Sequence, residues 1–376
     1  MNPRERILAL LKRESPDRIP FSHFERHLPR GEMERKARNM GMGLLCYRPC
    51  YTESVSGVKI TTQEEPGSVI TTYDTPIGSL TEVMRVGVGY GQALFGRDWR
   101  GIQPLRTQYL VKKPEDYRVL KFVIENTHYK PYYFPVEDQL RRLGDDGIVI
   151  TTLPYEPMQR LLVTWVGTRL YIDLRRNREE VEGVCSALGQ KYEEELFPIA
   201  AGSPSEVIAF GGNIDSVLVS PSMFERYYLP AYEKCWKVIH SEGKLLNVHM
   251  DGKLKALTEL IAKSRVDVIE AVTPPPMGDL PLDVALSAWK EKIIWVNFPS
   301  AISTALGPRP SVVKEYLIDQ LEKTIPSERM MLVASTENYV PEENIVAMAE
   351  VMEQATLPLS KLAIERMRTS RYQHKA

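Results

Sequence analysis

The feature that most constrains this chain is an alternation of two patterns along most of its length. Short apolar runs of strand length occur at residues 19–21, 44–47, 147–152, 207–210, 244–249, 266–270, 293–297 and 330–334. Between them lie stretches with helical spacing, best defined at 181–196, 221–241, 254–263, 312–323 and 341–354. In the last of these, Ile345, Met348, Ala349 and Met352 fall on one face. A short run that is apolar throughout reads as a strand covered on both faces, and such strands separated by helices pair in parallel. Eight of them fit closure into an α/β fold of the (β/α)8 TIM barrel type better than an open sheet. A first helix is marked by Asn2 as cap, Pro3 at its first position and Glu5 three residues after the cap, and it should stop near Pro16.

One stretch breaks the rhythm. Between residues 56 and 106 the sequence turns to Thr, Val, Ile and Gly, with strand-like runs at 69–73 and 80–86 around the turn-like Asp74-Thr-Pro-Ile-Gly78. We read 56–106 as a β-hairpin insertion after the second strand of a single barrel domain spanning 1–376. Gly87-Val-Gly-Tyr-Gly91 has the glycine spacing of a dinucleotide loop, but no amphipathic helix or suitably placed acidic residue follows it.

Composition excludes several classes. Forty-eight Lys and Arg against 49 Asp and Glu leave no net field to gather nucleic acid or an anionic membrane. No apolar run reaches the roughly 18 to 20 residues that span a bilayer, so a cytoplasmic protein is expected. Cys46, Cys50, Cys185 and Cys235 are too sparse for a disulfide framework and read as reduced thiols. The P-loop lysine motif, the nucleophile elbow and the H-E-x-x-H helix are all missing.

The chemistry is expected at the strand ends. In Lys244-Leu-Leu-Asn-Val-His-Met-Asp-Gly252, Asn247, His249 and Asp251 alternate onto one face of an extended strand. Polar groups on a core strand are costly unless partnered, and at the carboxyl end of a barrel strand they would line the active site. They would suit either a metal or a His-Asp acid/base pair; the plainer alternative is a turn at Asp251-Gly252 with His249 bonded to main chain. Glu270 closes the next strand, before three prolines that stiffen the loop. Asn297 ends the strand after that, and Glu337 with Asn338 follows the last. At the first strand, His23, Glu25 and His27 alternate and would complete the floor or rim of the pocket.

Residues 3–20, Ser220-Pro-Ser-Met-Phe-Glu-Arg-Tyr-Tyr-Leu-Pro230, the His249 segment and Met277-Gly-Asp-Leu280 resemble the uroporphyrinogen decarboxylase superfamily over nearly the whole chain. Tyr73-Asp-Thr-Pro-Ile-Gly-Ser-Leu-Thr81, Pro114-Glu-Asp-Tyr117 and Glu270-Ala-Val-Thr-Pro-Pro-Pro276 look like its corrinoid-dependent methyltransferase branch, in particular the members that demethylate methoxylated aromatics. The resemblance implies a TIM barrel. Two departures bear on the substrate. The Arg-Gln-Ala-Gly-Arg stretch of the decarboxylases is replaced by His23-Phe-Glu-Arg-His27, which argues against octacarboxylate recognition. The thiol-methylating members use zinc held by His-x-Cys and a later Cys; here His249-Met250-Asp251 puts a carboxylate at the first thiolate position, and Glu337 lies in the region of the second. Loss of soft ligands argues against a thiol acceptor.

What the resemblance then implies is transfer of a methyl group from a small methylated substrate, a methoxylated aromatic, to the Co(I) corrinoid of a partner protein. His249, Asp251 and Glu270 would carry the chemistry, and His23, Glu25, Asn247 and Asn297 would contact substrate. His249, Asp251 and Glu337 would ligate zinc where a metal is held. Homo-oligomerisation is compatible with this reading. The alternatives are a decarboxylase of a porphyrinogen or aromatic acid, and a non-catalytic barrel that binds a ligand.

Overall fold

The computed structural model describes residues 1–85, 105–335 and 339–373. The chain starts with the helix α1 (Pro3–Leu11), fixed by reciprocal caps: the Asn2 side chain accepts from the Glu5 N–H at 2.8 Å, and the Glu5 carboxylate accepts from the Asn2 N–H at 2.9 Å. The described strands are β1 (Phe21–Phe24), β2 (Gly43–Pro49), β3 (Tyr51–Val55), β4 (Lys59–Glu65), β5 (Ser68–Thr75), β6 (Gly78–Arg85) and β7 (Leu105–Gln108). They continue with β8 (Thr127–Pro131), β9 (Gly147–Thr152), β10 (Val207–Ala209), β11 (Leu245–His249), β12 (Val268–Val272), β13 (Ile293–Asn297) and β14 (Met330–Val333).

Eight of these close into a parallel barrel in the order β1-β14-β13-β12-β11-β10-β9-β2, with helices between successive strands. This is the (β/α)8 architecture expected from the alternating patterns. The interior is filled by alternate residues of each strand, among them Phe24, Leu45, Ile148, Ile150, Val207, Val268, Ile293, Trp295, Met331 and Val333. Ile7, Leu10 and Leu11 of α1 join the same cluster, and Ile7 and Pro3 lie against Gly43 at the start of β2. The amino-terminal end of the barrel is therefore plugged by α1, and polar chemistry is left to the carboxyl ends of the strands.

The first strand runs over Phe21–Phe24 rather than 19–21. Pro20 has no N–H to donate to a ladder, so regular pairing begins after it; its carbonyl still accepts from the Leu332 N–H at 2.9 Å.

The chain divides into two compact units. The first comprises residues 1–50, 132–153 and 200–376 and contains the whole barrel. The second comprises 51–131 and 154–199. In it, the hairpin expected within 56–106 is found as β5 and β6, but it is the centre of a larger antiparallel sheet, β4-β5-β6-β7. A separate antiparallel pair joins β3 to β8. Arg160 is half-buried in this unit with its guanidinium 4.4 Å from the Trp165 ring and 3.0 Å from the Tyr192 hydroxyl. The Gly87 to Gly91 loop lies outside the described residues. No disulfide joins Cys46, Cys50, Cys185 or Cys235. Among the described residues no helix is long and apolar enough to cross a membrane.

The plug is tied to the barrel edge by a charge pair. Arg6, with a side chain 4% exposed, donates from Nε to Asp17 Oδ1 at 2.6 Å and from Nη2 to Asp17 Oδ2 at 2.9 Å. Burial alone would raise the Asp17 carboxyl, but the Arg6 guanidinium outweighs it and holds the pKa down at about 2, against an ordinary 3.8. The contribution is thus complete above pH about 4 and lost as pH falls through about 2. Because Asp17 is itself 43% exposed, the pair is worth only about 1 to 2 kcal/mol. Asp17→Asn should cost that much in denaturant unfolding at neutral pH, and the gap to the parent should close as pH is lowered from about 4 to about 2.

Candidate active site

Four groups meet at the carboxyl ends of β2, β11 and β12. His249 and Glu270 are register partners on adjacent strands, and both face into the barrel. His249 Nδ1 lies 3.1 Å from Glu270 Oε1. The other carboxylate oxygen, Oε2, accepts a hydrogen bond of 2.7 Å from the Tyr47 hydroxyl. On the far side of the imidazole, His249 Nε2 is 3.7 Å from Asp251 Oδ2. The result is a chain Tyr47, Glu270, His249, Asp251 that runs from packed interior toward solvent: Glu270 is 2% exposed, whereas the His249 and Asp251 side chains are 20% and 26% exposed.

The electrostatics follow from this order. Burial by itself pushes the His249 imidazole down, but the adjoining Asp251 and Glu270 carboxylates outweigh it and raise the pKa to about 10. Burial, followed by the negative charge of Glu270, pushes the Tyr47 phenol well above its ordinary range, so Tyr47 remains a donor. Its ring packs on Phe24 with centroids 4.9 Å apart.

Local backbone features set these positions. In β12 the register with β13 shifts between Ile269 and Val272, and Ala271 in this bulge has φ 66°, a left-handed conformation unusual for a residue with a Cβ. Glu270 and Ala271 both lie in this shifted stretch, between the paired residues Ile269 and Val272. Beside His249, the loop after β10 passes so close that a Cβ on Gly212 would stand 2.7 Å from the His249 Cβ, and Gly212 has φ 133°. Only glycine combines that approach with that backbone.

Other residues expected at the site fall in different places. Asn247 faces the interior one step before His249, is fully buried, and has no partner in hydrogen-bond geometry for either amide atom among the described residues, although it lies beside the Tyr47 hydroxyl. Asn297 ends β13 and donates from Nδ2 to Thr273 Oγ1 at 3.0 Å. His23 is not brought to the cluster. Ser22 reaches Met331 Sδ at 3.3 Å inside the barrel and Phe24 belongs to the interior cluster, so His23 between them points to the outer side of β1. It is fully buried, with Nδ1 3.0 Å from the Phe24 carbonyl, and burial pushes its pKa down to about 4. Glu25 has left the strand for a short helical turn at Glu25–His27. There Arg48 donates to it at 3.1 Å and Arg30 lies 3.6 Å away. Glu337 lies outside the described residues. Among the described residues no group of three His, Cys, Asp or Glu is arranged to hold a metal; His249 Nε2 and Asp251 Oδ2 form a pair of nitrogen and oxygen donors. Sequence reasoning missed Tyr47, which stood at the end of an otherwise apolar run.

No protein-family profile matches the sequence, and no curated protein matches it significantly. Among solved structures the chain is similar to a methyltransferase from Methanosarcina mazei, with a TM-score of 0.56 and 11% sequence identity over 98% of this chain and 99% of that one. At this identity the likeness is one of fold. A GH5-4 broad specificity endoglucanase from an uncultured bacterium aligns over 64% of this chain and 85% of its own, with 8% identity and a TM-score of 0.32, too low to carry an argument.

Gly212→Ala tests the contact that seats His249. The added methyl group must displace the loop or the histidine at a strained φ, so the variant should lose roughly 2 kcal/mol of stability. In an NMR spectrum the His249 ring signals should shift more than those of the other five histidines.

Proposed function

We propose that this chain is a methyltransferase that takes the methyl group of a small methylated substrate, a methoxylated aromatic, and passes it to the reduced corrinoid of a partner protein. The observation that carries this reading is the orientation of His249. Its Nδ1 edge is held by Glu270, and its Nε2 edge lies beside Asp251 at the partly exposed end of the site. Support also comes from the fold shared with a methyltransferase across the full length of both chains, and from the segments that resemble the corrinoid-dependent branch.

The reaction is a displacement at a methyl carbon. The corrinoid supplies the electron pair that forms the new bond to carbon. The bond from methyl to ether oxygen breaks, its electrons remain on oxygen, and the phenol leaves readily only if that oxygen receives a proton as the bond opens. In this reading His249 Nε2–H gives that proton, Glu270 keeps Nδ1 engaged, and Asp251 holds the donor edge and balances its charge. Asn247 and Asn297 then lie on the inner wall as substrate contacts.

A second reading is favoured by the Glu270 to His249 bond, because a metal-ligating histidine typically gives its other ring N–H to a carboxylate. Zinc would then be held by His249 Nε2 and Asp251, with Glu337 as the further ligand expected from the sequence. Bound there, it would polarise the leaving oxygen in place of the proton.

Incubation with free cob(I)alamin and a panel of methoxybenzenes and methoxybenzoates should release the corresponding phenol. His249→Ala should lower that rate by about 10²-fold or more with the circular dichroism spectrum unchanged. Stoichiometric zinc in protein purified without chelator would move the role of His249 from proton donor to ligand. Release of carbon dioxide from a porphyrinogen, with no phenol formed, would replace methyl transfer by decarboxylation. Ligand binding with neither product would leave a non-catalytic barrel.

A further inference from the structure

The hydrogen bond from Tyr47 to Glu270 joins residues 223 positions apart in sequence and on strands as far apart as this barrel allows. In the closed order, β2 and β12 are separated by β9, β10 and β11 on one side and by β1, β14 and β13 on the other. The Tyr47 and Glu270 side chains therefore meet across the interior of the barrel from opposite walls. Its ring is braced against Phe24 on the neighbouring strand β1.

We infer that Tyr47 is a positioning residue: by fixing Oε2 of Glu270 it directs Oε1 to Nδ1 of His249, which leaves Nε2 toward Asp251 as the edge that meets substrate. The geometry needs such a clamp. Glu270 lies within the stretch between Ile269 and Val272 where the ladder with β13 shifts register, so strand pairing alone holds it less firmly than a residue in a regular ladder. A carboxylate held at one oxygen only can swing about its terminal torsion, which is broad for glutamate. Held at both, it fixes the plane and protonation of the imidazole. The raised phenol pKa agrees with this direction, since it keeps the proton on Tyr47 and the acceptor role on Glu270. The bond is independent of any particular substrate. Its consequence for turnover rests on the methyl-transfer reading.

The test separates these two levels. In uniformly 15N-labelled protein, the Nδ1–H proton of His249 should give a downfield signal protected from solvent exchange, assigned by its absence in His249→Ala. Tyr47→Phe keeps the ring on Phe24 and removes only the hydroxyl. The clamp predicts that this signal broadens or disappears in Tyr47→Phe while the circular dichroism spectrum is unchanged. In the phenol-release assay, kcat should fall about 10- to 100-fold with KM within about threefold of the parent, the size typical of residues that orient a site histidine. Glu270→Ala, which removes both acceptor oxygens, should abolish the same signal, and serves as the readout should Tyr47→Phe fold poorly. An unaltered Nδ1–H signal in Tyr47→Phe, or in Glu270→Ala, overturns the clamp. Loss of the signal in a protein whose parent releases no phenol from any methoxyaromatic upholds the clamp and overturns methyl transfer instead.

Discussion

A carboxylate enclosed by a protein barrel loses its hydration and must find hydrogen-bond partners in place of water, and that constraint organises the carboxyl end of this molecule. Glu270 is 2% exposed. Desolvation of a charge in such a place costs several kcal/mol unless hydrogen bonds replace the lost water. Two do so: one from the Tyr47 hydroxyl, the other shared with His249. Each partner is thereby changed. Tyr47 is held as a donor, and His249 is flanked by acids on both ring nitrogens, with Asp251 on the outer side.

The backbone around these groups departs from regular geometry where the cluster needs it. Ala271 takes a left-handed conformation directly after Glu270, and Gly212 brings the preceding loop into contact with the Cβ of His249. Away from the site the barrel is conventional, with alternating apolar residues inside and α1 closing the opposite end. Irregular backbone concentrated beside a buried ionic cluster is what a site that must hold one geometry requires. The Asn247 amide is buried on this inner wall beside Tyr47, and Asn297 ends β13 with its amide on Thr273.

Much of the architecture was legible because barrel strands are buried on both faces and carry an unbroken apolar signal. β9 and β13 were located to the residue, at Gly147–Thr152 and Ile293–Asn297. The sheet of the second unit was read only in part. β4, Lys-Ile-Thr-Thr-Gln-Glu-Glu, is exposed along its whole length, so no hydrophobic period marks it, and its pairing with β5 supplies what its composition does not. The stripe of Asn247, His249 and Asp251 was visible from strand alternation alone. The same rule misplaced His23, because alternation tells which residues share a face but not which face is inward; Ser22 and Phe24 hold that position.

The amino-acid sequence by itself determined the barrel, the helix that plugs it, and the strand ends on which His249 and Glu270 stand, because these depend on periodicities of two and of about 3.6 residues that are local and repeat along the chain. Only the tertiary structure decided that Tyr47 meets Glu270 across the barrel, that Glu25 is taken up by Arg48 and Arg30, and that His23 turns away from the site. Those outcomes depend on barrel closure, which brings together residues hundreds of positions apart, and on the phase of each strand about the barrel axis, for which a single strand carries no local mark.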